Sequence, residues 1–233
     1  MNILNILKKQ EMKPVGPLTI RDIATIIKKR KKTVDKEFKA GYELILKHPQ
    51  SVSILGSARF KEDNVYYKQA RSLASRIVKE LNYAIVTGGG PGIMEAANRG
   101  AYEAGGVSLG FSIKLPQEQK NNPYLTDYVE FEYFFSRKTL LFFSAETYIY
   151  YPGGFGTMDE LFEILTLTQT NKIPKTPVIL VGREFWTPLL KLIDDKLYHD
   201  TNAINLADED IYKIVDTEDE IIEIIKNAPL RQV

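Results

Sequence analysis

The chain has 233 residues, 44% hydrophobic and 26% charged, a globular composition with length for one α/β domain and an appendage. Its 31 basic and 30 acidic residues leave a net charge of +1, which gives no electrostatic footprint for nucleic acid or an anionic membrane. Cysteine is absent and the two histidines, His48 and His199, lie far apart, which excludes disulfides and thiolate metal sites and argues against a metal or a catalytic His relay. The opening run Met1–Lys9 is too short and wrongly ordered for a signal peptide, and no stretch approaches the ~20 apolar residues of a spanning helix. A soluble, cytoplasmic protein without nucleic-acid or membrane partners is expected.

Residues 1–18 are expected to be loosely ordered, ending in the breaker Pro14-Val15-Gly16-Pro17. Thr19 is a cap for a helix from about Ile20 to Leu46, whose basic run Lys28–Lys32 reads as a solvated face. Residues 1–50 are thus a helical extension, and 51–233 a single domain in which strand and helix alternate. Val52–Leu55 is the first strand, closed by Gly56-Ser57-Ala58-Arg59, and an amphipathic helix follows from Tyr66 to Leu81. Tyr83–Thr87 is the second strand; Gly88-Gly89-Gly90-Pro91-Gly92 then opens a helix, with Pro91 expected just inside its start. Val107–Ile113 is the third strand, and Leu115–Thr126 a polar loop long enough to wall a pocket. Val129, Phe131 and Tyr133 alternate with glutamates on a fourth strand, and Ser136 is expected to cap a helix running to about Ser144. Glu146–Tyr151 and Val178–Gly182 read as buried strands, Phe185–Leu197 as a helix, Ile211–Val215 as a late strand, and Thr217 as the cap of a last helix. The class is α/β: a Rossmann-like, doubly wound parallel sheet with helices on both faces.

The chain is organised around Tyr151-Pro152-Gly153-Gly154-Phe155-Gly156-Thr157-Met158-Asp159-Glu160, where a strand turns into a helix through three glycines. Glycine lets a ligand approach the main chain, and a helix start offers unpaired N–H groups and a positive dipole end to a phosphate. Thr157 is expected near the cap, with Glu160 one turn in as an acid/base group. The same spacing, Thr157-x-x-Glu160, also reads as a capping box in which the glutamate only folds back on the helix start. Three glycine turns, Gly56-Ser57, Gly88–Gly92 and Gly153–Gly156, all follow strands, so they gather at the carboxyl edge of the sheet, where such folds bind ligands. The second turn is no dinucleotide fingerprint, because Ile93 stands where G-x-G-x-x-G needs glycine, and no P-loop is present. Arg137-Lys138 brings a fixed positive charge near a helix start, where the dipole disfavours it, which hints at a ligand role. Residues 128–155 hold 11 of the 25 aromatics, a packed core or a homodimer surface.

Gly88–Gly100, Ser136-Arg137-Lys138 and Pro152–Glu160 together resemble the LOG (LONELY GUY) family, long labelled "lysine decarboxylase", over about Ser51 to Pro188. The resemblance implies a Rossmann-like nucleoside 5′-monophosphate phosphoribohydrolase that needs no cofactor or metal and forms a homodimer or larger homo-oligomer. By position it assigns Arg137 and Glu160 as the catalytic pair and Gly153, Gly154, Phe155, Gly156 and Thr157 as the phosphate loop. Gly56, Ser57, Gly89, Gly90, Met94, Glu118, Lys138, Asp159 and Thr166 complete the expected substrate-binding set; plant members carry Glu at the position of Asp159. The glycine-rich turn and the N-terminal extension look like the bacterial branch, so AMP or another purine nucleotide is expected beside cytokinin riboside monophosphates. Two alternatives come from other classes: a non-catalytic nucleotide sensor or carrier, and a pyridoxal-phosphate decarboxylase, which would need a Schiff-base lysine that no motif here marks.

Overall fold

The computed structural model describes residues 19–115 and 120–229. The chain divides into two compact units, Met1–Lys36 and Glu37–Val233, and the site lies within the second. Helix α1 spans Ile20–Lys47, and its start is capped by Thr19, which accepts from the Asp22 amide while Asp22 accepts in return. The alternating region comprises β1 (Ser51–Leu55), α2 (Val65–Leu81), β2 (Ala84–Thr87), α3 (Ile93–Glu103), β3 (Ser108–Ile113), β4 (Asp127–Phe131), α4 (Phe134–Phe143) and β5 (Thr147–Tyr150). It continues with α5 (Phe155–Gln169), β6 (Val178–Val181), α6 (Arg183–Leu192), β7 (Tyr212–Val215) and α7 (Glu218–Asn227).

The seven strands form one parallel sheet in the order β4-β3-β2-β1-β5-β6-β7. The chain walks outward from β1 to β4, then returns to pair β5 on the other side of β1, with Val52 opposite Thr147 and Leu55 opposite Tyr150. That reversal makes the gap beyond the carboxyl ends of β1 and β5 the crevice of the fold.

Side-chain alternation sends each strand's residues to two cores. Ile149 and Tyr151 join Val52, Ile54, Leu73, Ile77 and Ala97 under α2, α3 and α7. Tyr148 and Tyr150 join Phe111, Leu140, Leu141, Leu161, Leu180 and Trp186 on the opposite face. The fold is therefore doubly wound, as expected. Among the described residues no helix is long and apolar enough to cross a membrane.

Several local expectations are corrected. Helix α3 starts at Ile93 with Gly92 at its cap, so Pro91 lies outside the helix; Gly92 has φ +73, and a Cβ there would overlap the Ser57 carbonyl. Tyr133 is the cap of α4 rather than part of β4, and Ser136 sits in the first turn, wholly buried. Gly154 caps α5, which moves Thr157 from the cap into the first turn. The helix expected over Phe185–Leu197 is α6 followed by a more widely wound helical segment, Ile193–Asp200. Glu118 lies outside the described residues.

Candidate active site

The three glycine turns meet through one residue. The Ser57 amide donates to the Pro152 carbonyl at 3.0 Å, and the Ser57 carbonyl accepts from the Ile93 amide at 3.0 Å. The turns after β1, β2 and β5 are thereby stitched into one floor. Behind the second turn, Asn98 is wholly buried: its carbonyl accepts from Thr87 Oγ1 (2.6 Å) and Asn122 Nδ2 (2.9 Å), and its amide donates to Ser108 Oγ (2.9 Å). Thr87 Oγ1 accepts from the Gly89 amide and Asn122 Nδ2 donates to the Gly90 carbonyl, so Gly89 and Gly90 are held from behind.

Over this floor opens a cavity of about 710 Å³, lined by Gly56, Ser57, Arg59, Gly88, Met94, Ile113, Leu115, Phe134, Arg137, Gly153–Met158 and Glu160. Its size falls in the ~300–1,000 Å³ range of small-molecule sites. A larger cavity, about 960 Å³, lies beside Thr176, Pro177, Asp210 and Ile211 just before β6 and β7. It holds none of the glycine turns and lies away from the topological switch, so the crevice is the better candidate.

Two side chains close the cavity wall. Arg137, on the second turn of α4, donates from Nε to the Phe111 carbonyl at 2.9 Å and from Nη1 to Glu160 Oε1. A Cβ on Gly88 would come within 2.6 Å of Arg137 Nη2, so glycine there makes room for the guanidinium. Arg137 is 7% and Glu160 8% exposed. Glu160 stands on the face of α5 that carries Gly156 and Thr157, four and three residues earlier. Its carboxylate reaches across to α4 and makes no cap, which decides against the capping box. The Glu160 carbonyl accepts from Tyr150 OH at 3.2 Å; burial, with the Glu160 charge beside it, holds that phenol well above the usual range.

The phosphate-loop residues differ in what they pack against. A Cβ on Gly153 would overlap Thr157 Oγ1, so this glycine is required by packing. A Cβ on Gly154 or Gly156 would meet nothing within 4 Å. No neighbour explains those two glycines. They leave the helix start bare, with no side-chain cap on α5, where its first amides are free for an anion. Phe155 stands between them, 96% exposed.

Of the expected set, Gly56, Ser57, Met94, Arg137, Glu160 and Gly153–Thr157 line the cavity. Lys138 and Asp159 pair with each other at 2.8 Å, Lys138 also meets Glu163, and neither lines the cavity. Burial works against the Lys138 charge, but the bonds to Asp159 and Glu163 outweigh it and raise its pKa. Thr166 is exposed and donates to the Phe162 carbonyl. Arg59, Ile113, Leu115 and Phe134 line the cavity without having been singled out. Arg59 lies two residues after Ser57, at the end of the Gly56-Ser57-Ala58-Arg59 turn, a position that could have signalled it. Among the described residues no cluster of His, Cys, Asp and Glu could hold a metal.

A family model described as "Possible lysine decarboxylase" matches residues 94–225. A cytokinin riboside 5′-monophosphate phosphoribohydrolase of Rhodococcoides fascians is 26% identical over 63% of this chain and 75% of its own length. Enzymes of the same name from Arabidopsis thaliana and Oryza sativa are 30% and 29% identical over 55% and 60% of the chain, which spans 61% and 57% of theirs. Among solved structures, a molybdenum cofactor binding protein of Rippkaea orientalis superposes with TM-score 0.54 at 22% identity, covering 76% of this chain and 93% of its own. The molybdenum cofactor carrier protein of Chlamydomonas reinhardtii gives 0.55 at 20%, covering 77% and 97%. These two share the fold.

Proposed function

Because the chain belongs to the LOG (LONELY GUY) family, we propose that it hydrolyses the N-glycosidic bond of a nucleoside 5′-monophosphate, AMP-like or a cytokinin riboside monophosphate, to free base and ribose 5-phosphate. The observation that carries this reading is the buried Arg137–Glu160 pair on the wall of a cavity whose rim is the turn Gly153–Gly156, open at Gly154 and Gly156. The phosphate binds the bare amides at the start of α5, and Met94, Ile113, Leu115 and Phe134 offer an apolar wall to the base.

Breaking the C1′–N bond leaves positive character on the sugar. The Glu160 carboxylate faces that charge and orients a water; the water oxygen bonds to C1′ as the C1′–N bond breaks, one water proton passes to Glu160, and from there it is returned through solvent to the departing base nitrogen. Arg137, anchored on the Phe111 carbonyl, aims Glu160 and balances the anionic ligand. Phosphate binding away from the broken bond fixes the sugar geometry. Among the described residues the cationic side chains lining the cavity are Arg59 and Arg137, with no lysine placed for a Schiff base, which speaks against the decarboxylation in the family's description.

Exposed Phe134 and Phe155 at the mouth, with Phe162 farther along α5, support a homodimer assembled on this face. Incubation with a panel of nucleoside monophosphates, followed by chromatography for free base, tests the activity. Base release from at least one of them is expected; tight binding without release would instead favour a nucleotide carrier.

A further inference from the structure

Helix α4 carries Arg137, yet its cap residue Tyr133 offers no side-chain bond to its own first turn. The entry of α4 is held instead from α1, nearly a hundred residues earlier. Glu37 Oε1 accepts from the Glu132 amide at 2.6 Å, and Oε2 accepts from Ser136 Oγ. Ser136 also donates toward the Tyr133 carbonyl at 3.0 Å. Glu37 is 6% exposed, and among the described residues it forms no ion pair. A buried carboxylate without a cation is held by the N–H and O–H groups it accepts from and by the positive end of the helix it meets. One turn on, a Cβ at Gly41 would overlap Leu140, and Leu44 is buried in the same core. α1 therefore grips α4 on both sides of Arg137, at Ser136 and at Leu140.

We propose that Glu37 is a positioning residue for Arg137: it fixes the entry of α4, so that the guanidinium meets both the Phe111 carbonyl and Glu160. The proposal rests on the reading of Arg137 and Glu160 as a catalytic pair, and it places part of the active-site machinery on α1, outside the span the family model matches. The residue types fit the task. A carboxylate supplies two acceptors, one for the Glu132 amide just before the helix and one for the Ser136 hydroxyl in its first turn, and glutamate is long enough to reach them from a neighbouring helix. A surface helix joined by packing alone would place an apolar residue at this position.

The test compares Glu37→Ala, Glu37→Gln and the packing control Leu44→Ala in the full-length protein. It measures melting temperature, steady-state kinetics on the nucleotide the wild type turns over, and the side-chain Nε–H resonance of Arg137 by ¹⁵N NMR. Glu37→Gln keeps an acceptor for the Glu132 amide and an amide against Ser136, and retains kcat within about threefold. Glu37→Ala lowers kcat by about tenfold or more with KM nearly unchanged, because misplacing a catalytic group by an ångström is that costly. It also weakens or broadens the Arg137 Nε–H signal. Leu44→Ala lowers the melting temperature but spares both. Equal kinetic losses in Glu37→Ala and Leu44→Ala, or an unchanged Arg137 resonance in Glu37→Ala, overturn the proposal. If the wild type releases no base, the activity reading fails, and the resonance alone decides whether Glu37 positions Arg137.

Discussion

Arg137 of α4 and Glu160 of α5 meet as a buried ion pair at the carboxyl edge of the sheet, and both face the cavity rather than the core beneath it. Two packed apolar side chains would join these helices as well or better, since burying charge costs desolvation that the attraction only partly returns. A charged pair in this position is therefore explained by a ligand more readily than by stability.

Glu160→Gln keeps the shape of the side chain and a hydrogen-bond acceptor for Arg137. Base release is expected to fall by about 10²-fold or more, with a circular-dichroism spectrum like that of the wild type. Arg137→Ala strands the Glu160 carboxylate, so it is expected to abolish release and also to cost about 3–5 kcal/mol in urea unfolding. Turnover preserved in Glu160→Gln would make the pair a structural clasp.

The glycines of the α5 turn separate binding from folding. Gly156→Ala adds a methyl into open space within a helix, so stability is expected to stay level or rise by up to about 1 kcal/mol. Affinity for ribose 5-phosphate, measured calorimetrically, is expected to drop at least about tenfold as the methyl blocks approach to the amides. Gly153→Ala meets Thr157 instead and is expected to lower the melting temperature.

Asn98 is the hub of the polar network under the second turn. Asn98→Ala removes one buried bond from each of Thr87, Ser108 and Asn122, at a cost of about 2 kcal/mol by urea titration. Because Gly89 and Gly90 hang on the same network, their amides are expected to lose hydrogen-exchange protection.

Alkaline stability follows from buried phenols. Burial, opposed in part by Arg99 and reinforced by Glu95, pushes the Tyr67 hydroxyl up to about 12, while an unfolded tyrosine titrates near ~10. The folded state keeps a proton that the unfolded chain releases, so this contribution is complete below about pH 10 and is lost as the pH rises toward 12. Tyr150 and Tyr151 shift in the same direction, through burial. Unfolding free energies measured at pH 9, 10 and 11 are expected to fall across that window, and to fall less in Tyr67→Phe.

Much of this was legible in the sequence because it is written locally. Ser51–Leu55 and Thr147–Tyr150 are apolar runs between turn residues, and Gly56, Gly88 and Gly153 punctuate strand ends, which is enough to bring three turns to one edge. Helix starts were less legible. Ser136 and Thr157 have good capping chemistry, but the Ser136 hydroxyl and the chain entering α4 are held from α1 by Glu37, and α5 begins bare at Gly154. A contact made from a hundred residues away leaves no local pattern. Met94 and Arg137 could be placed in the cavity by motif, whereas Leu115 and Phe134 enter it through tertiary packing that no spacing encodes.

The most direct measurement is a crystal structure of Glu160→Gln with AMP bound. The account predicts the phosphate within about 2.7–3.2 Å of main-chain amides between Gly154 and Thr157, with C1′ beside the side chain at position 160. A phosphate seated elsewhere, or a ribose turned away from residue 160 with Arg137 untouched, would contradict it.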